Sequence, residues 1–378
     1  MDSKSLTNPD TSALNAPQLK VVNNSKQHTT LITGGAGFIG TNVADALLSE
    51  GKSIIIYDNL SRAGVEENLR WLRDKHKSNL KIEIADIRNE KALKEAVNAA
   101  DAVYHFAAQV AVTTSCVDPI MDFEVNARGT LNLLEAIRQS EKQPPLVFTS
   151  TNKVYGGLED LKVILKGDRY EPESVTTAAN GISEERGIDF HSPYGCSKGA
   201  ADAYILDYAR TFGLKAVVFR MSCIYGPHQF GTEDQGWVAH FLISALEGKP
   251  ITIYGDGKQV RDILYVKDLV RAMKIAQDNM ETLTGKAFNI GGGVDNTISL
   301  LELIKIIEDL HGESIDVDFG DWRPGDQRYY VSDIKKFKKE GKWAPQASAY
   351  QGIENLYHWL AEFRNIPLSK KVYSGQSL

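Results

Sequence analysis

Apolar residues recur along this chain in two rhythms that alternate with one another. Short apolar runs at Thr29-Thr30-Leu31-Ile32, Ser53-Ile54-Ile55-Ile56-Tyr57, Ala102 to Ala108, Leu146 to Ser150, Ala216 to Met221 and Ala287 to Ile290 read as strands. Leu80 to Asp86 alternates apolar with polar and reads as another. Between them, Thr41 to Leu48, the charged stretch through Lys77, Glu90 to Ala99, Phe123 to Arg138 and Pro193 to Phe212 carry apolar positions at helical spacing. Leu131, Leu133, Leu134 and Ile137 form the apolar side of the fourth. Runs as continuous as 102–108 fit parallel strands buried on both faces. Strand alternating with helix implies right-handed βαβ units, hence an α/β fold with a Rossmann-type, doubly wound parallel sheet.

Past residue 221 the rhythm breaks at Gly226-Pro227, Gly231 and Gly236, and shorter elements follow. The sequence therefore divides into a dinucleotide-binding domain over 28–221 and a smaller mixed α/β substrate lobe drawn mainly from 222–365. Ala178 to Asp189, rich in polar and turn residues, reads as a loop covering the site. Residues 1–27 are polar, have no apolar core region, and read as a disordered extension; 366–378 reads as a flexible tail.

Composition narrows the class. A formal charge of -6 with no basic block argues against nucleic acid. No apolar run approaches the roughly 18 residues of a membrane span. Cys116, Cys196 and Cys223 are odd in number and lack C-x-x-C spacing, so neither a disulfide framework nor a zinc site is expected, and the cytoplasm is the default compartment.

The first apolar run leads into Gly34-Gly35-Ala36-Gly37-Phe38-Ile39-Gly40. The spaced glycines permit a tight turn and a close backbone approach to a pyrophosphate, and the following helix offers its free N–H groups to the phosphates. The second run ends in Asp58, at about the distance where a carboxylate accepts from the adenosine ribose and repels a 2′-phosphate, so NAD is favoured over NADP. Asp86-Ile87 falls where such a fold approaches the adenine, and the small Ala107-Ala108 pair lets the cofactor cross the strand end. His105 reads as a satisfied core histidine.

Tyr194-Gly195-Cys196-Ser197-Lys198 places phenol and ammonium four apart, on one helix face. A phenol ionises near pH 10, so chemistry near neutrality needs it about 3 units lower, roughly 4 kcal/mol. Lys198 and a positive nicotinamide are the expected suppliers. Thr151, at the end of the strand that starts at Leu146, is the candidate hydroxyl to share the substrate proton with Tyr194.

With the glycine turn, Asp58, Thr151, Tyr194 and Lys198 together, residues 31–343 resemble the extended short-chain dehydrogenase/reductase family of NAD-dependent epimerases and dehydratases. Four longer stretches resemble the branch that inverts C2 of a CDP-linked sugar: 109–115, 150–156, 191–202 and Asp234-Gln235-Gly236-Trp237-Val238. The resemblance implies a retained NAD, a nucleotide-sugar substrate and a homo-oligomer, dimer or tetramer. It implies that Phe38, Ile39, Asn59, Gln109 and Asn126 join the cofactor site. Gln109, Lys153, Ser222, Gln235, Arg261 and Arg323 then join the substrate site, the two arginines gripping the diphosphate. The chemistry implied is oxidation at C2 to a 2-keto sugar, turnover of that ketone in the site, and return of hydride to its other face. Dehydratases of the family carry Asp-Glu where this chain has Asn152-Lys153, which disfavours loss of water. The 4-epimerases commonly place Asn where Ser222-Cys223 stands. A nucleotide-sugar 4-epimerase and a non-catalytic NAD-binding regulator are the alternative readings.

Overall fold

β-Branched and aromatic runs, free of glycine and proline, form the strands where the apolar rhythm places them. The computed structural model describes residues 28–323 and 325–368. The expected N-terminal extension, 1–27, and the tail from 369 lie outside the described residues. In chain order come β1 (Thr29–Thr33), α1 (Phe38–Ser49), β2 (Ser53–Asp58), α2 (Val65–Lys75), β3 (Leu80–Ile84), α3 (Glu90–Ala99) and β4 (Ala102–His105). Short helices α4 (Val112–Val117) and α5 (Pro119–Phe123), then α6 (Gly129–Gln139) and β5 (Leu146–Thr151), follow. A hairpin of β6 (Val163–Lys166) and β7 (Arg169–Pro172), α7 (Val175–Asn180), the long α8 (Pro193–Phe212) and β8 (Ala216–Met221) come next. The remainder is β9 (Cys223–Tyr225), α9 (Trp237–Leu246), β10 (Ile251–Tyr254), β11 (Val260–Tyr265), α10 (Val266–Asp278), α11 (Met280–Leu283), β12 (Lys286–Ile290), β13 (Thr297–Ser299), α12 (Leu300–His311), β14 (Val317–Gly320), β15 (Tyr329–Tyr330), α13 (Lys335–Glu340) and α14 (Ala349–Phe363).

Seven strands form one parallel sheet in the order β12-β8-β5-β4-β1-β2-β3. The order reverses between β1 and β4, so a crevice opens at their carboxyl ends, where such sheets take ligands. Side chains alternate across the sheet. Ile32, Ile54, Ile56, Val147 and Phe219 pack with α1 and α10 on one face. Leu31, Ile55, Val103, Phe148 and Val218 pack with α3, α6 and α8 on the other. Burial on both faces explains why these strands read as continuous apolar runs.

The second lobe has its own core, in which Phe241, Leu242, Ile263, Leu303, Ile307, Ile353 and Leu356 meet. Its sheet is mixed: β11 runs parallel to β9 and β15 and antiparallel to β13. Three sequence expectations change here. The strand at Ala287–Ile290, expected in the second lobe, is β12 at the edge of the large sheet, beside β8. The first domain therefore takes back sequence beyond 221, and Leu269, Phe288, Phe337 and Trp343 share its core. The helix expected over 123–138 is interrupted at Glu124–Arg128 by a π turn. The 178–189 segment is no cover for the site. Ile182 bridges to Ser332, and Glu184 accepts from the Asn289 amide at 2.7 Å, which pins the segment against β12 and β15.

Candidate active site

The glycine turn joins β1 to α1. Gly34 has φ 67, and a Cβ there would lie 2.5 Å from the Ala107 nitrogen, so strand β4 can approach only glycine. At Gly40 the added carbon would strike the Gly34 carbonyl and Gly35 Cα, which fixes how closely helix and strand pack. At Gly37 the only close atom is the Gly34 carbonyl, at 3.2 Å, so the turn is open on that side. Gly37 is also the N-cap of α1, and no side chain caps it. The N–H groups of the first turn, at Phe38, Ile39 and Gly40, thus have no side chain on them. This cradle fits a dinucleotide pyrophosphate.

Asp58, at the end of β2, accepts from the Ala36 amide at 3.0 Å and from Leu60 at 2.9 Å. It therefore shapes the turn as well as offering a carboxylate to a ribose, a second duty invisible in the sequence. Burial raises its pKa, and these amides and the nearby Arg62 charge pull it back. Asn59 donates to Asp86 at 2.8 Å, and Arg88 grips Asp86 through two bonds of 2.8 and 2.9 Å. That grip holds the Asp86 carboxyl far below its ordinary range. The Ile87 side chain packs into the core, against Gly129.

Two residues expected at the cofactor also bind within the fold. The Gln109 amide is bonded on both sides to the backbone of Ala111, at 2.8 Å each way, so its side chain staples the loop after β4. Val110, Val112, Thr113 and Cys116 form the cavity wall there. Asn126, in the π turn, accepts from the Gln109 amide at 2.9 Å and donates to Ser197 at 3.0 Å and Asp122 at 3.1 Å. Its hydrogen-bonding capacity is consumed in tying the β4 loop to α8. Asp122, itself buried, accepts from Ser197, and sequence reading missed it because its partner stands 75 residues away.

Ser192 caps α8 by accepting from Gly195 at 3.0 Å, with Pro193 at its first position. Ser115 accepts from the Tyr194 amide at 3.1 Å, which fixes the helix start against α4. Tyr194 projects into a cavity of about 560 Å³ and shares it with Ser150, Thr151, Asn152 and Lys153 from the end of β5. Thr151 accepts from the Lys153 amide at 3.2 Å. Burial and the Asp122 charge push the phenol up to about 12, and the Thr151 hydroxyl pulls the other way.

Lys198 is 4 % exposed. Its ammonium donates to the Thr149 carbonyl at 2.7 Å and lies 4.2 Å from the Phe148 ring centroid. Burial brings Lys198 down to about 7, opposed by the charges of Asp202 and Asp122. The expected lowering of the phenol by Lys198 is therefore not realised by the protein alone: burial raises the phenol, and Thr151, not Lys198, is the group that pulls it back. Ser150 Oγ, missed in the sequence reading, is a buried cavity-wall hydroxyl without a partner. It sits beside Thr151 in the sequence, and only the missing partner singles it out. His105 is fully buried, its ring nitrogens 2.6 Å from Thr33 Oγ1 and 3.0 Å from Thr130 Oγ1. Burial holds it neutral, at about 3.

The far end of the same cavity gathers the remaining candidates. Ser222 lines it, yet its hydroxyl donates to the Asp262 carbonyl at 2.9 Å and so serves the scaffold. Gln235 lines it from the 232–236 turn. Arg261 donates to Asp326 at 2.6 Å, and Lys153 stands 3.9 Å from the same carboxylate and 3.2 Å from the Gly325 carbonyl. Burial pulls Lys153 down, which Asp326 opposes. Arg323 lies 3.9 Å from the Tyr254 ring centroid.

A switch-point crevice with an uncapped glycine turn, running into a cavity that holds Thr, Tyr and Lys at one end and two arginines at the other, defines a dinucleotide-dependent enzyme of the short-chain dehydrogenase type. The chain belongs to the family described as GDP-mannose 4,6 dehydratase, which matches residues 31–356. It is 47% identical over 338 residues to a CDP-paratose 2-epimerase of Salmonella typhi, covering 87% of this chain and 98% of that one. The fold superposes on a UDP-glucose 4-epimerase of Thermotoga maritima with UDP-glucose, at a TM-score of 0.76 and 30% identity, over 89% of this chain and 99% of that one. It superposes equally well on a UDP-glucuronic acid 4-epimerase of Bacillus cereus in complex with UDP-glucuronic acid and NAD, at 0.75 and 28%, with the same coverages.

Proposed function

We propose that this chain is an NAD-dependent nucleotide-sugar epimerase that inverts C2 of CDP-paratose to give CDP-tyvelose. The observation that carries the reading is identity of 47% to a CDP-paratose 2-epimerase along nearly the whole of both chains. The cavity supports it, since one end carries the proton-handling trio and the other the guanidinium groups a diphosphate needs. Gly34, Gly37, the first turn of α1 and Asp58 would hold NAD, which would supply reversible hydride acceptance and positive charge that favours ionisation of the phenol.

Tyr194 takes the proton of the C2 hydroxyl, with Thr151 bonding the same oxygen, and gives a proton back when the hydroxyl is remade. Lys198, brought down to about 7 by burial, stands beside the Phe148 ring and can carry or release its proton near neutrality. Asn152 and Lys153 provide no carboxylate pair to expel water, so a ketone formed here has inversion as its outlet. Keeping that ketone bound requires a grip remote from C2, which Arg261 and Arg323 provide.

Among the described residues no helix is long and apolar enough to cross a membrane. Cys116, Cys196 and Cys223 are free thiols, which suits a reducing cytoplasm. The reading includes a homo-oligomer, and the exposed Val117, Ile120 and Phe123 on α4 and α5 suit a face for it. To test the reaction, the protein is incubated with CDP-paratose and, separately, UDP-glucuronate, and the inverted carbon located by NMR. Inversion of C2 in the first and no change in the second is expected; inversion of C4 in the second would establish the 4-epimerase reading instead.

A further inference from the structure

Both arginines of the substrate end already hold carboxylates, and the two pairs differ in kind. The Arg261–Asp326 pair is inward, with side chains 8% and 23% exposed, and Arg261 is also tied to the Val260 carbonyl of its own strand at 2.8 Å. Arg323 is 27% exposed and faces Glu233 and Asp234, themselves 48% and 49% exposed, at 3.5 and 3.6 Å. It also donates to the Glu233 carbonyl at 3.0 Å, and the Tyr254 hydroxyl donates to the Glu233 carboxylate. Glu233 and Asp234 ride on a short turn, bridged from Thr232 to Gln235, that lies across the cavity wall. Glycines stand at both ends of the turn: Gly231 packs against the His240 nitrogen, and Gly236 has φ 81 just before α9. His240, behind the turn, faces the same three charges.

We infer that Glu233 is the resident anion of Arg323, and that a nucleoside diphosphate must displace it, opening the 232–236 turn as it binds. This rests on Arg323 being a diphosphate ligand, as proposed above. Solvent-exposed arginine–carboxylate pairs are weak, whereas a diphosphate presents a doubly charged, bidentate acceptor to the same guanidinium. Exchange therefore favours the ligand, and Glu233 subtracts from its affinity. The buried Arg261–Asp326 pair has no such freedom and stays as a fixed anchor. Access to the cavity is then limited by opening of the turn, a gate controlled by charge.

The inference makes an unusual demand: removing a charged residue from the wall of the binding cavity must tighten binding. The purified protein, with whatever cofactor it retains, is titrated calorimetrically with CDP, UDP and GDP at one ionic strength. For whichever nucleotide binds best, Glu233→Gln is expected to lower Kd about two- to fivefold, the range of an exposed ion pair. In an Arg323→Met background the same change is expected to have no effect. Unchanged or weaker binding in Glu233→Gln, or an equal gain in the Arg323→Met background, overturns the gate. Trp237, adjoining the turn, and Trp322, beside Arg323, report opening by stopped-flow fluorescence. Association is expected to reach a ceiling at high nucleotide in the wild type and a higher ceiling in Glu233→Gln; equal ceilings overturn it. Preference for UDP over CDP would count against the proposed substrate and leave the Glu233 result standing.

Discussion

At the scale of single residues the site is a set of groups held away from their solution behaviour. Tyr194 is the sharpest case, with its phenol raised to about 12 by burial in the protein alone. Tyr194→Phe deletes that hydroxyl and keeps the ring, so turnover is expected to fall by about 10²–10⁴. Nucleotide affinity and the melting temperature are expected to stay within error; steady-state kinetics, calorimetry and thermal melts check the three together. His228 is held neutral between Trp71 and Trp359, pushed down to about 4 from 6.5 by burial, as His105 is to about 3. Their folded pKa values lie below the unfolded ones, so the unfolded chain binds more protons over the interval between. Their contribution is intact above about pH 6.5 and is lost as pH falls towards 4. His228→Phe keeps an aromatic ring and removes the titration. Its baseline melting temperature is expected to drop, and its further loss between pH 7.5 and pH 5 to be smaller than in the wild type. Tyr194, Lys198 and Thr151 were readable in the sequence because spacing on one helix, or position at one strand end, brings them to the site. Ser150, Asp122 and Arg62 were not, because the observations that single them out, an unpaired hydroxyl or a partner from another element, exist only in the fold.

Elements place those groups, and they place them through backbone approach as much as through side chains. The turn between β1 and α1 is the clearest instance. An added carbon at Gly40 would meet backbone atoms of Gly34 and Gly35, which have no rotamer through which to yield. Gly40→Ala is therefore expected to cost about 1–3 kcal/mol, as overpacking does, and to strip the protein of its dinucleotide. Thermal melts and analysis of the small molecules released on denaturation give the two readouts. NAD retained in stoichiometric amount in Gly40→Ala would remove the turn from the cofactor site. Helix limits at Glu90–Ala99 and Pro193–Phe212 were legible in the sequence, since Asn89 and Ser192 cap them and Pro193 and Gly213 mark the ends of the second. The π turn at Glu124–Arg128 was not, because nothing in its composition differs from helix. What distinguishes it is that Asn126 bonds the Gln109 backbone, a tertiary fact. Likewise β12 read as a strand, but its partner β8 lies about seventy residues earlier, and local pattern carries no information about which sheet a strand joins.

On the scale of the molecule, the proposed reaction draws on two lobes: the sheet holds the glycine turn with Thr151, Tyr194 and Lys198, and the second lobe holds Arg261 and Arg323. The carbon that reacts is then set by where the nucleotide grip leaves the sugar, a distance spanning both lobes that no local motif encodes. Deuterium settles which carbon it is. If C2 of CDP-paratose is oxidised and reduced within one closed site, label placed at C2 is expected back at C2 of the product, with none appearing from deuterated water in the converse experiment. The structural ground is the proton inventory. In the proposed reaction Tyr194 and Thr151 handle a hydroxyl proton, and the end of β5 carries Asn152 and Lys153 in place of paired carboxylates that could work at a carbon–hydrogen bond. Washout of the C2 label into water would mean deprotonation at carbon, and would require an acid and a base on opposite faces of the sugar. Inversion at C4, with its label returned there, would leave Tyr194 and Lys198 in their proposed roles and shift the sugar by the span of two ring carbons. Mass spectrometry of the product after partial conversion separates washout from return of the label, and NMR assignment of the inverted carbon separates C2 from C4; retention at C2 with inversion at that same carbon is the expected outcome.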